Sequence, residues 1–251
     1  MKSVLIIGGY GNAGFLIARL LLHQATDISL IIAGRRFLMA EEAARQLHHM
    51  FPEKQVIPLE LDVTDTPSLR KALQKADLAV MASSTIQHTK SVAEEVLKAG
   101  KDYFDLQLSS PVKLDVLYAL EDKIKASGLC FITDGGFHPG LASALVRHAS
   151  KMFDKLEVAN IDGGLKVDWA GIDASPGTME EMLEEFKHYS TLHFKKGQWK
   201  TMSWLSMPPK FDFGPPLGNL YCTPMLLEEQ KSLPEQIPTL QETGFFVSGF
   251  N

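Results

Sequence analysis

Short unbroken apolar runs alternate with amphipathic stretches through the first 150 positions of this chain. Residues 4–7, 28–33, 55–62, 77–82, 102–106 and 129–132 read as strands, and residues 15–22, 41–47, 67–73, 89–99 and 112–127 read as the helices between them. A strand that is apolar throughout is covered on both faces, and strands that alternate with helices build a parallel doubly wound sheet. Beyond residue 150 the pattern changes. Residues 158–162 and 165–168 read as strands, Thr178 and Glu181 form a capping box for a helix over 179–189, and 194–199 has the composition of a hairpin. The prolines Pro208, Pro209, Pro215 and Pro216 predict long irregular loops near a lid. The expected class is α/β, with a doubly wound domain over residues 1–150 and a smaller α+β domain over 151–251.

The first strand runs directly into Gly8-Gly9-Tyr10-Gly11-Asn12-Ala13-Gly14, and a helical run follows at once. Gly9, Gly11 and Gly14 have the G-x-G-x-x-G spacing of a Rossmann-type dinucleotide turn, in which backbone N–H groups at a helix N-terminus meet a pyrophosphate. Gly8, Gly11 and Gly14 fit a second framing, and both hold the same phosphate. An ordinary tight strand-to-helix turn is the plain alternative. At the end of the second strand an NAD enzyme carries an acid for the ribose 2′-hydroxyl. Here the chain reads Gly34-Arg35-Arg36, and guanidinium groups suit a 2′-phosphate. NADP(H) is therefore the expected cofactor, with Arg35 as first contact and Arg36 as second. Two solvated arginines opening a helix are the alternative. By position, Asp62 and Val63 approach the adenine, and Ala82, Ser83 and Ser84 lie along the pyrophosphate or the nicotinamide ribose.

Composition narrows the partners. A net charge of −5 over 251 residues, 45% of them hydrophobic, describes a globular chain with no basic footprint for nucleic acid. No apolar run approaches the roughly 18 residues that cross a bilayer, and no signal segment is evident, so a cytoplasmic protein is expected, with a small-molecule substrate and neither nucleic acid nor membrane as partner. Two cysteines, Cys130 and Cys222, suit a reducing compartment, and no Cys/His metal site is visible.

The Gly-Gly-Tyr-Gly-Asn-Ala-Gly turn, Ala33-Gly34-Arg35, the segment Asp102-Tyr103-Phe104-Asp105-Leu106 and the turn Gly136-Phe137-His138-Pro139-Gly140-Leu141 together resemble the saccharopine dehydrogenase (saccharopine reductase-like) family. The likeness spans roughly residues 3–150, with an echo at Ser175-Pro176-Gly177-Thr178. It implies an NAD(P)-dependent oxidoreductase that makes or breaks a secondary amine, or acts on a related imine or carbonyl. It also implies a second domain that covers the nicotinamide and shapes the substrate cavity. Trp169, Trp199, Trp204, Met202 and Met207 permit an apolar pocket there, although core packing explains most of them. The apolar run 244–251 has two readings. Either the chain is shortened relative to the family, with an incomplete substrate site, or the run pairs inside a sheet or across a homodimer formed through the second domain.

Hydride chemistry needs a group that moves a proton at the reacting nitrogen or oxygen. The Tyr-x-x-x-Lys pair of short-chain dehydrogenases is absent. His138, on a turn after a strand end, is the leading candidate, with Asp134 or Asp105 behind it; a residue that merely packs the turn is its plain alternative. Saccharopine carries three carboxylates, yet Arg147 is the one arginine after Arg70, so a substrate with fewer carboxylates is expected. A protein that binds NADP(H) as a sensor without turning it over is the rival reading.

Overall fold

The computed structural model describes residues 1–166, 171, 176–187, 189–203 and 205–248; within 176–187 it describes the backbone throughout but only some of the side chains. The chain folds as two units, Met1–Gly136 and Phe137–Asn251.

In the first unit the elements run β1 Lys2–Ile7, α1 Asn12–Gln24, β2 Ile28–Gly34, α2 Phe37–Met50, β3 Val56–Glu60, α3 Thr66–Leu73, β4 Leu78–Met81, α4 Thr89–Lys98, β5 Asp102–Asp105, α5 Pro111–Ala126 and β6 Phe131–Ile132. The strands form one parallel sheet in the order β3-β2-β1-β4-β5-β6. The order reverses between β1 and β4, and a doubly wound sheet opens its ligand crevice at such a point, beyond the strands' C-terminal ends.

Alternation along β1 divides the core. Leu5 and Ile7 join Ile31, Ala33, Leu69, Leu73, Val92 and Val96 on one face of the sheet. Val4 and Ile6 join Leu30, Ile32, Ala18, Leu22, Ala40 and Leu47 on the other. All seven residues of β2 are buried, as a central parallel strand requires. On α1 the buried positions are Gly14, Ala18 and Leu22, one stripe at a spacing of four, so the same helix face that packs on the sheet begins in the glycine turn.

On the helical layer, Glu95 of α4 is buried and accepts hydrogen bonds from Arg70 of α3 and from Lys98. The Arg70 bonds, then those of Lys98, hold its carboxyl down at about 2, below its usual 4.5. A depressed carboxylate contributes stability that is complete above about pH 4.5 and is lost as the pH falls towards 2. Glu95→Gln should therefore remove part of the acid limb of unfolding. Acid titrations followed by circular dichroism should converge for variant and wild type near pH 2, with the wild type the more stable at neutral pH; equal stability at neutral pH would contradict the coupling.

The second unit contains α6 Leu141–Ala149, β7 Val158–Gly163, α7 Pro176–Lys187, β8 Leu192–Lys195, β9 Gln198–Thr201, β10 Lys210–Asp212, β11 Asn219–Tyr221, β12 Thr223–Met225, α8 Leu233–Gln236 and β13 Glu242–Val247. A mixed sheet is centred on β13, which pairs in parallel with β7 and antiparallel with β12 and β8; β8 and β9 form the expected hairpin, turning at Lys196 and Gly197 in the left-handed region. Of the places open to the terminal apolar run, residues 242–247 take one inside a sheet. The proline-rich stretch is less irregular than expected, because β10 and β11 pair within it.

Helix α6 contributes Ala142 to a core with Met225, Leu227, Phe245 and Val247, and Val146 to a core with Leu156, Leu233, Ile237 and Leu240. Helix α6 therefore packs within the second unit, Phe137–Asn251. Leu165 and Lys166 are not in a strand. Val167, Asp168, Trp169, Ser175, Trp204 and residues 249–251 lie outside the described residues, as do the side chains of Thr178 and Glu181.

Candidate cofactor and catalytic site

The turn between β1 and α1 is built so that no side chain fits inside it. Gly8 has φ +86°, and a Cβ there would lie 2.5 Å from the carbonyl oxygen of Ala82 at the end of β4. A Cβ on Gly14 would overlap the carbonyl oxygen of Gly8, and one on Gly9 would lie 2.9 Å from that of Ile6. Backbone bonds pin the turn: Gly8 N–H donates to Ala33 O at 2.8 Å and Gly11 N–H to Gly8 O at 2.9 Å. Gly11 is the N-cap of α1 and supplies no side chain. The first-turn N–H groups of Asn12, Ala13 and Gly14 find no acceptor among the described residues, and no acid sits in that turn. Free donors, the positive end of a helix and absent side chains are the properties a pyrophosphate requires, so these residues fit a dinucleotide.

At the end of β2, Arg35 and Arg36 are exposed, and Arg36 is the N-cap of α2, whose first turn carries no acid. The ring of Tyr10 lies against Gly34, where a Cβ would overlap it. Past β3, Asp62 accepts from Thr64 N–H at 2.9 Å and Thr64 Oγ1 at 2.7 Å. Those bonds hold its carboxyl below the usual range, with smaller help from the Arg35 and His88 charges. Val63 is buried in the core, so only its backbone is available to a ligand. After β4, Ala82 N–H donates to Ile7 O at 2.8 Å, Ser83 is half-buried with its Oγ 3.1 Å from Thr85 Oγ1, and Ser84 is exposed.

The ends of β5 and β6 hold a cluster absent from the sequence reading. Lys113 is fully buried, and its Nζ donates to Asp105 Oδ1 at 2.9 Å, Asp134 Oδ1 at 2.6 Å and the Gln107 carbonyl at 2.9 Å. Thr133 Oγ1 donates to Asp105 Oδ2 at 2.9 Å, and Ser109 Oγ to Asp134 Oδ2 at 3.1 Å. Local chemistry puts Lys113 there. Ser110 caps α5 by accepting from Lys113 N–H, and Pro111 and the lysine both lie in the first turn of the helix. Asp134 holds its place with φ +57°, a left-handed conformation that aspartate tolerates better than most residues. Gln107 extends the network by donating to Ser83 O at 2.7 Å and Thr85 Oγ1 at 3.1 Å; its Oε1 is buried without a partner among the described residues. Both aspartates named as candidates behind His138 are thus committed to Lys113. Asp105 has no exposed surface.

His138, at the start of the second unit, packs edge-on against Phe245 at 5.6 Å between ring centroids. Its Nε2 lies 3.0 Å from Glu185 Oε1, near enough for an ion pair but outside the directions of a hydrogen bond. Burial pushes its imidazole below the usual value, which favours the neutral ring. Arg147 is engaged as well: its Nε donates to Gln236 Oε1 at 2.8 Å, and its Nη2 donates to Ser232 Oγ and the Glu229 carbonyl at 3.3 and 3.4 Å.

Comparison with known proteins agrees with this geometry. Residues 4–130 match the family profile described as the saccharopine dehydrogenase NADP binding domain. Carboxyaminopropylagmatine dehydrogenase from Synechocystis sp. is 26% identical over 260 residues, which cover 99% of this chain and 62% of that protein. Apo saccharopine dehydrogenase (L-Glu forming) from Saccharomyces cerevisiae has the same fold, with a TM-score of 0.69 at 19% identity over 98% of this chain and 55% of that one. The chain therefore spans about three fifths of the curated relative's length. With its matched profile lying over the glycine turn, the paired arginines and the first five strands of the parallel sheet, the chain belongs to the saccharopine dehydrogenase family through its NADP-binding domain.

Proposed function

We propose that this protein is an NADP(H)-dependent oxidoreductase that moves a hydride to or from an amine, imine or carbonyl carbon of a small amino-acid-like substrate. The observation that carries the reading is the turn at the sheet's switch point, where no Cβ fits at Gly8 or Gly14 and the first-turn N–H groups of α1 are free. NADP supplies the hydride when bound. The N–H groups of Asn12, Ala13 and Gly14 hold the pyrophosphate, Arg35 and Arg36 take the 2′-phosphate, the Asp62–Val63 backbone borders the adenine, and Ser83 and Ser84 line the nicotinamide half. His138, kept neutral by burial, takes or returns the proton at the reacting nitrogen or oxygen.

The substrate follows from what the second unit lacks. Arg147 is tied to Gln236, Ser232 and Glu229, so no arginine of that unit is free for a forked carboxylate contact. A substrate with fewer carboxylates than saccharopine fits this better, and the name of the Synechocystis relative's substrate contains one carboxy group. Among the described residues no helix is long and apolar enough to cross a membrane, and Cys130 and Cys222 are unpaired, in keeping with a cytoplasmic setting.

The test is loss of absorbance at the reduced-nicotinamide band when NADPH is offered with a panel of keto acids and primary amines. Oxidation that needs both partners, and that falls at least about tenfold in His138→Ala, is expected. NADPH binding with no turnover across the panel would favour a sensor, and full turnover in His138→Ala would remove the histidine from the reaction.

A further inference from the structure

We infer that Tyr10, inside the glycine turn, determines the preference for a 2′-phosphate by holding Arg36, and that Arg36 is the principal phosphate contact in place of Arg35. The inference rests on the NADP reading above and assigns the specificity within it. The Tyr10 ring lies over the end of β2, packed on the core face that contains Ile32 and against a glycine at position 34 that leaves it room. The guanidinium carbon of Arg36 stands 5.5 Å from the centre of that ring, and the Arg36 N–H reaches the Tyr10 hydroxyl at 3.4 Å.

An exposed arginine is otherwise free to sweep many rotamers. Stacking on an aromatic face keeps its charge while restricting that motion, so less ordering remains to be done when a phosphate arrives. The two arginines differ in their surroundings. The field of Arg35 reaches the carboxylate of Asp62, an attraction that competes with an incoming anion. Among the described residues no carboxylate pairs with Arg36, and the first turn of α2, which it caps, carries no acid. Ring, cation and helix start therefore converge beside the glycine turn, at the adenosine side of the crevice expected from strand order.

The experiment is a fluorescence titration of the whole chain with NADPH and with NADH, for wild type and for Tyr10→Phe, Tyr10→Ala, Arg35→Ala and Arg36→Ala, each checked for an unchanged thermal melt. Tyr10→Ala is expected to weaken NADPH about fivefold and leave NADH unaltered, with Tyr10→Phe staying within about twofold of wild type because the ring persists. Arg36→Ala should weaken NADPH more than Arg35→Ala does. An unchanged NADPH/NADH ratio in Tyr10→Ala, or a larger loss in Arg35→Ala, would overturn the inference. Should Tyr10→Ala fail to fold, the two exposed arginine variants decide between the outcomes. Equal wild-type affinity for both nucleotides would overturn the NADP reading itself, and the inference with it.

Discussion

Lys113→Ala should destabilise the first unit by about 3–5 kcal/mol, the scale seen when one member of a buried ion group is removed. The lysine and Asp105 have no exposed surface, and Asp134 has very little. Removing the ammonium leaves two carboxylates facing each other without water or counter-charge, and it also strips a donor from the Gln107 carbonyl. Lys113→Met, which restores most of the volume but none of the charge, should be nearly as damaging; a packing role alone would let methionine rescue. Urea unfolding followed by circular dichroism measures both. A midpoint within error of wild type for Lys113→Ala would contradict the cluster as described. Because Gln107 links the cluster to Ser83, milder variants that still fold should also loosen the loop after β4.

Gly14→Ala should abolish useful cofactor binding, lowering NADPH affinity about 100-fold or more, roughly 3 kcal/mol, while the chain stays folded. Alanine is a better helix former than glycine, so the change favours α1 taken by itself. Its Cβ, however, would overlap the Gly8 carbonyl and approach Gly9 Cα to 2.9 Å, and α1 must then lift off the turn that its first N–H groups complete. Lost binding with an intact melt is the signature expected. Wild-type NADPH affinity in Gly14→Ala would mean that the pyrophosphate is held elsewhere.

The first unit was legible because its signals are local. The central strands β1, β2 and β4 are apolar runs bounded by polar turns, and the glycine turn carries its geometry within seven residues. The strand order was not read from the sequence, since it depends on handed crossovers and not on any single residue. Lys113 was not legible. A lysine in the first turn of a helix reads as solvated, and its burial depends on Asp134, 21 positions away and held in a left-handed conformation. The sequence reading set no bounds for helix α6, and an apolar face alone does not say which sheet it will cover. The terminal run announced a strand but not its neighbours, since pairing with β7 joins residues more than 80 positions apart. Tyr10 was legible only as one more turn residue; its bearing on Arg36 needed the end of β2 beside it.

The most direct test of the account is a paired titration of the unaltered chain with NADPH and NADH, followed by nicotinamide fluorescence and thermal shift. Saturable binding of both, with NADPH clearly the tighter and the more stabilising, is the predicted result. Equal affinity for the two nucleotides, or no binding of either, would contradict it.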